Sequence, residues 1–112
     1  MPKDDKVYLT HMLELAQRVR DKVSGVTREQ FDSDDNLQLA VTHLIQTIGE
    51  AARMVSPAGR AAVPALPWNA ITGMRHHIVH DYLNVDVDIV WQTATTRMEE
   101  LIAALRGTGT GT

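Results

Sequence analysis

Four side chains able to carry out chemistry lie in one short segment of the sequence: Arg75, His76, His80 and Tyr82. The arginine guanidinium is permanently charged and presents a planar fork of donors that suits a phosphate group. The imidazole of histidine titrates nearest neutrality, so it can accept or release a proton there. The phenolic oxygen of tyrosine can be covalently modified. These groups together indicate phosphodiester chemistry.

The spacing of these residues limits how a single helix presents them. On an ideal helix Arg75 and Tyr82 share a face, whereas Arg75 and His80 lie about 140° apart around the axis. Either the helix ends near His80, or the same motif on a second subunit completes the site. A two-fold dimer does the latter, because its interface brings identical patches face to face. We therefore expect a homodimer whose cleft pools two arginines and two histidines.

The composition indicates a soluble globular protein. The chain has 112 residues, of which 44% are hydrophobic and 22% are charged, and no apolar run approaches the roughly 20 residues that span a bilayer. It contains no cysteine, which is compatible with a reducing cytoplasm, where we expect the protein to act. The formal charge of -3 argues against a broad nucleic-acid-binding surface, but it permits a local basic pocket around Arg75.

Helical periodicity dominates the sequence and predicts an all-α fold, an up-and-down bundle of about four main helices. Long helices are predicted at about residues 4–24 and 34–56, and from an Asp86 N-cap to Gly107. Their apolar stripes are Tyr8, Met12, Leu15, Val19 and Val23; Leu37, Val41, Leu44, Ile48, Ala51 and Val55; and Val90, Ala94, Met98, Leu101 and Leu105.

The segments between these helices carry their own signals. Thr27 and Gln30 form a predicted capping box that opens a short helical turn through Phe31. Residues 57–67, with three prolines and one glycine, predict a loop. A fourth main helix is predicted from Pro67 through Met74, ending between residues 79 and 83. We expect one domain over residues 1–106, followed by a disordered Gly/Thr tail over residues 107–112.

The motif R-x4-H-x-Y, formed by Arg75, His80 and Tyr82, resembles that of the HEPN superfamily and, within it, of the HepT-like toxins of prokaryotic toxin-antitoxin pairs. The resemblance covers roughly residues 7–105. It includes the flanking stretches Ile48-Gly-Glu-Ala51, Leu66-Pro-Trp68, Ile71-x-Gly-Met-Arg75 and Val85-Asp-x-x-x-Val90-Trp91. These landmarks, in this order on a chain of the right length, are more specific than the motif alone.

The resemblance implies a metal-independent RNase that needs no cofactor, with Arg75 and His80 as the catalytic pair at a dimer cleft. His80 would exchange protons with a ribose 2′-hydroxyl or the leaving oxygen, while Arg75 stabilises the transition-state charge. Tyr82 corresponds to the residue to which a partner nucleotidyltransferase antitoxin transfers AMP. His76 stands where the family often has asparagine, and we expect it to position the substrate.

Two alternatives remain open. His76 with His80, and His77 with Asp81, have the spacing of helical metal pairs, but no further ligand set appears on the other helices, so we predict no metal site. The rival function is a non-enzymatic module whose motif face docks and regulates the nucleotidyltransferase.

Other residues that could carry chemistry are more simply explained by structure. His11 and His43 lie inside long helices on or near the apolar stripes, and we expect them to be residues at the boundary between core and surface and not ligands. Trp68 and Trp91 could stack on bases, but we expect them to belong to the core. Glu50 is expected to form a surface ion pair with an arginine.

Overall fold

The structure is a computed structural model, and it describes residues 3–74 and 85–107. In these two ranges the regular secondary structure is helical and no β-strand is present, which confirms the predicted all-α fold. Three long helices form the frame, and short helices connect them. The helices are α1 (Lys3–Val23), α2 (Arg28–Asp32), α3 (Asp35–Arg53), α4 (Pro57–Ala61), α5 (Trp68–Thr72) and α6, which comprises Val87–Gln92, a π-helical turn Thr93–Arg97 and Met98–Arg106.

Helix α1 packs against both α3 and the C-terminal part of α6. All five predicted stripe residues of α6 are buried, but the buried face of α1 is rotated slightly from the prediction. Tyr8 and Leu15 lie half-buried at its edge. The fully buried positions of α1 instead include Leu9, Leu13 and Ala16, each no more than 1% exposed. The apolar stripes of the three long helices therefore form most of the core, and the connecting segments add Phe31, Val55, Val63, Leu66 and Ile71.

The connection from α1 to α3 follows the sequence signals. Gly25 has a φ of 74°, a left-handed conformation that glycine adopts without steric cost. Thr27 and Gln30 then form the predicted capping box, in which the Thr27 hydroxyl accepts from the Gln30 N–H and the Gln30 side chain accepts from the Thr27 N–H. The short helix that follows carries Phe31 into the core, where it is fully buried.

The predicted loop over residues 57–67 is wrong in its first part, because Pro57–Ala61 form α4. Pro57 stands at the start of the helix, where a missing N–H costs nothing. The Ser56 hydroxyl caps the helix by accepting from the Gly59 N–H at 3.1 Å. The buried carboxylate of Asp5 in turn accepts from the Ser56 N–H at 2.8 Å and from its hydroxyl at 2.5 Å. A contact from α1 therefore stabilises a helix that its own sequence left marginal.

The hydrogen bonds from Ser56 also lower the pKa of the Asp5 carboxyl below its ordinary value. Gly59 lies so close to this carboxylate that a Cβ added there would collide with it and with Val55. The start of α1 is thus fixed against α4 by one buried polar contact.

Helix α3 ends at Arg53 instead of near residue 56, and Met54 caps it. The fourth main helix was predicted from Pro67 through Met74 to between residues 79 and 83, but it is interrupted: α5 ends at Thr72 with Gly73 as its C-cap, and Met74 is again helical. Glycine is the residue least able to continue a helix without an entropic cost. The rest of that predicted helix lies outside the described residues, as does the predicted tail from Thr108 onward.

Helix α6 begins as predicted, because the Asp86 side chain accepts from the Ile89 N–H at 3.2 Å. The π-helical turn was not predicted. It falls in a run of threonines, and the Thr95 hydroxyl donates to the Trp91 carbonyl at 2.7 Å, the kind of bond that bends helices. Gly107 caps the C-terminus, as expected. None of the helices in the described ranges is long and apolar enough to cross a membrane.

Candidate functional site

The predicted site residues Arg75, His76, His80 and Tyr82 lie outside the described residues, together with His77 and Asp81 of the metal alternative. Their roles and mutual geometry therefore remain predictions. The structure does describe the two residues to which this segment is attached, Met74 and Val85, which both pack against the core, and the helices on either side of it.

Helix α5, which leads into the motif, rests directly on the backbone of α3. A Cβ added to Gly49 would lie 3.2 Å from the Ile71 carbonyl oxygen, so the small residue at this position permits the close approach. Ile71 itself is 5% exposed. The absence of a side chain at Gly49 thus sets how closely α5 packs on α3.

The Trp68 side chain anchors the start of α5. Its indole N–H donates to the Val63 carbonyl at 3.1 Å, and the Arg60 guanidinium lies 5.6 Å from its ring centroid. Arg60 also donates to the carbonyls of Val55 at 3.2 Å and Ala52 at 3.3 Å. Both tryptophans pack against the core, which confirms the structural interpretation of Trp68 and Trp91.

Helix α6 follows the motif in the sequence, and its N-terminal part contacts helix α2 through an ion pair and an aromatic pair. Arg28 bridges two carboxylates, Asp32 in its own helix at 2.7 Å and Asp88 in α6. Hydrogen bonds to both of them raise the pKa of the Arg28 guanidinium. The Phe31 and Trp91 rings meet with centroids 5.0 Å apart and planes inclined at 48°, a geometry that aromatic pairs favour.

A cavity of about 450 Å³ opens between α5 and α6, beside Met74. Its walls are mostly apolar, and its polar side chains come chiefly from α6, around the π-helical turn. The lining residues in the described ranges are Ala65, Leu66, Pro67, Ala70, Ile71, Met74, Ile89, Gln92, Thr93, Arg97, Met98, Glu100 and Leu101. Sequence reasoning missed this cavity, although the threonine-rich run over residues 93–96 marks its position.

The remaining candidates behave as surface residues. His11 and His43 are exposed, and no group of three or more histidine, aspartate or glutamate side chains in the described ranges could hold a metal ion. Glu50 pairs with Arg53 at 3.8 Å on the surface, as expected.

Comparison with known proteins identifies the family. The family model described as "Ribonuclease HepT-like" matches residues 12–107, which includes both anchoring helices and the motif between them. The chain belongs to the HepT-like ribonuclease family. The resemblance inferred from the motif and its flanking stretches is thereby confirmed, and so is the helical fold expected with it.

Several curated relatives match the chain over most of their own length. "Putative RNase TTE0752" of Caldanaerobacter subterraneus is 31% identical over 99 residues, which are 88% of each chain. "Putative RNase MJ1216" of Methanocaldococcus jannaschii is 30% identical over 90% of this chain and 84% of its own. "Probable ribonuclease HepT" of Thermococcus cleftensis is 29% identical over 96% and 94%. No solved structure matches significantly.

Proposed function

We propose that this protein is a metal-independent endoribonuclease whose catalytic residues are Arg75 and His80. The observation that carries the proposal is the family match over residues 12–107, which encloses an intact R-x4-H-x-Y motif. Three curated relatives bear ribonuclease names. The residue types agree with this activity, because an imidazole can transfer the protons and a guanidinium can stabilise the phosphoryl charge when RNA is cleaved by its own 2′-hydroxyl.

In the proposed mechanism, His80 accepts the proton of the ribose 2′-hydroxyl. The 2′-oxygen forms a bond to phosphorus, and the bond from phosphorus to the 5′-oxygen of the next nucleotide breaks. The His80 imidazole, now protonated, gives a proton to that leaving oxygen, and the product carries a 2′,3′-cyclic phosphate. Arg75 stabilises the additional negative charge on the phosphoryl oxygens, and His76 positions the substrate. DNA lacks the nucleophile and is not cut.

A homodimer supplies the cleft in this proposal. Arg75 and His80 are separated by about 140° on one straight helix, so two copies related by a two-fold axis would bring the groups together. A mixture of Arg75→Ala and His80→Ala subunits therefore tests the cleft. Mixed dimers retain one arginine and one histidine and should regain part of the activity that each variant lacks alone.

Regulation by a partner completes the proposal. A cognate nucleotidyltransferase antitoxin would transfer AMP from ATP to Tyr82, so that the phenolic oxygen bonds to the α-phosphorus and pyrophosphate leaves. A phosphate beside Arg75 would engage its guanidinium and repel RNA by like charge. We place the protein in the cytoplasm as the toxin of a toxin-antitoxin pair. Tyr82→Phe should block modification, whereas Tyr8→Phe, at the other tyrosine of the chain, should not.

The rival is a non-enzymatic module whose motif face docks the nucleotidyltransferase. Substitution of Arg75 or His80 separates the two functions. A ribonuclease loses RNA cleavage while it keeps its fold, its dimer and its partner, whereas a docking module loses partner binding and has no cleavage to lose. His43→Ala is the matched control, since His43 is an exposed histidine on α3.

A further inference from the structure

The cavity between α5 and α6 has the properties of a ligand site. Its volume of about 450 Å³ falls in the range of small-molecule pockets, which are mostly apolar and carry a few polar groups that orient the ligand. Its apolar surface includes Leu66, Ile71 and Met98, which are 5%, 5% and 2% exposed. These side chains belong to the core and would provide a preformed floor.

The polar groups of this cavity are concentrated on one helix. Gln92, Arg97 and Glu100 are exposed residues of α6 that line it, and Arg97 lies 3.3 Å from Glu100. They offer an amide, a guanidinium and a carboxylate, so donors and acceptors stand together at one edge. The π-helical turn Thr93–Arg97 forms this edge, and such turns often occur at functional sites.

We infer that this cavity binds a nucleobase of the RNA substrate, in the nucleotide next to the phosphate that is cut. The inference rests on the proposed function. A base has two apolar faces and a polar edge, which match the apolar floor and the polar rim of the cavity. A phosphate has no apolar face that could pack against this floor. Met74 lines the cavity and directly precedes Arg75 in the sequence, which favours a base site next to the phosphate that Arg75 would bind in the proposed mechanism. Single-stranded RNA presents unstacked bases that can enter such pockets.

A filling substitution tests the site without disturbing the core. Ala70 lines the cavity yet is exposed, so Ala70→Phe should occupy its opening while the fold remains intact. Ala61→Phe is the matched control, because Ala61 is an exposed alanine of α4 that is not among the lining residues. Binding of AMP, GMP, CMP and UMP, with inorganic phosphate for comparison, is measured by the methyl NMR signals of Ile71, Met98 and Leu101.

At least one nucleotide should shift these methyl signals, and inorganic phosphate should not. Ala70→Phe should weaken that binding about tenfold or more, as expected when contacts to a base are lost, whereas Ala61→Phe should leave it within about twofold. In RNA cleavage, Ala70→Phe should raise KM and change the preferred base, with kcat largely retained.

The inference is overturned if no nucleotide shifts the methyl signals, or if Ala70→Phe and Ala61→Phe weaken binding equally. It is also overturned if the methyl signals shift with protein concentration and not with added nucleotide, because a second copy of the chain then fills the cavity. Nucleotide binding without RNA cleavage by the wild type would refute the proposed function and leave the base site standing. Cleavage that Ala70→Phe leaves unchanged, with no nucleotide binding, would refute only the base site.

Discussion

Replacing Phe31 with leucine should loosen the contact that holds the start of α6. Phe31 is 0% exposed, and its ring centroid lies 5.0 Å from that of Trp91. Leucine keeps the position apolar but removes the ring contact and leaves unfilled space. The substitution therefore changes packing without adding a polar group, and its effect can be worked out from two contributions.

Losing a favourable aromatic pair costs about 0.5–1.5 kcal/mol beyond the area that it buries. The smaller side chain leaves a void in a closely packed site, which adds about 1 kcal/mol. The free energy of unfolding should thus fall by about 2 kcal/mol. At several degrees per kcal/mol for a domain of this size, the Tm should fall by about 10 °C.

The assay is thermal and urea unfolding of both proteins, followed by circular dichroism at one protein concentration, since a dimer's stability depends on concentration. Leu39→Ala is the control, because Leu39 is 57% exposed and should change the free energy of unfolding by no more than about 0.5 kcal/mol. A loss below about 0.5 kcal/mol for Phe31→Leu would show that this contact does not hold α6 and would refute the reasoning.

Three further predictions concern the caps and the buried carboxylate. Gly59→Ala should lower the free energy of unfolding, measured by urea denaturation, by about 1–3 kcal/mol, because the added Cβ would collide with the Asp5 carboxylate in a packed site. Gly107→Ala is the control and should have little effect, because a Cβ there makes only ordinary van der Waals contacts. Asp86→Ala should cost about 1 kcal/mol in the same measurement through loss of the α6 N-cap. Because the folded-state pKa of Asp5 is depressed, its contribution is full above the unfolded pKa and is lost as pH falls through the folded one. The stability advantage of the wild type over Asp5→Asn should therefore begin to fall below about pH 4 in acid titrations and disappear only once the pH has passed the lower, folded-state pKa; an advantage independent of pH would contradict this.

Local signals in the sequence were sufficient for most of the fold. The capping box at Thr27 and the Asp86 N-cap could be predicted because each depends on residues three positions apart. The helical spacing of the apolar residues in α6 was sufficient to predict which face of that helix is buried. The rotation of α1 toward Leu9 and Leu13 could not be predicted in this way, because these residues are apolar like the predicted Tyr8 and Leu15, and only the packing of α1 against two other helices decides which of them are buried.

Several of the features that were missed depend on contacts distant in sequence. Helix α4 exists where a loop was predicted because Asp5, 51 positions before Ser56, supports its cap. The bridge from Arg28 to Asp88 spans 60 positions and leaves no local pattern. The cavity arises only when α5 and α6 are brought together. The candidate catalytic residues are predicted from the types and spacing of side chains within eight positions, and they lie outside the described residues.

The most direct test of the central claim is cleavage of a single-stranded RNA oligonucleotide by the purified protein in excess EDTA, with a 2′-O-methyl copy of the oligonucleotide in parallel. Wild type and His43→Ala should cut the RNA, leave 2′,3′-cyclic phosphate ends and spare the methylated copy, whereas folded His80→Ala should cut neither. Cleavage that EDTA abolishes, that His80→Ala retains, or that proceeds on the methylated copy would contradict a metal-independent mechanism centred on His80.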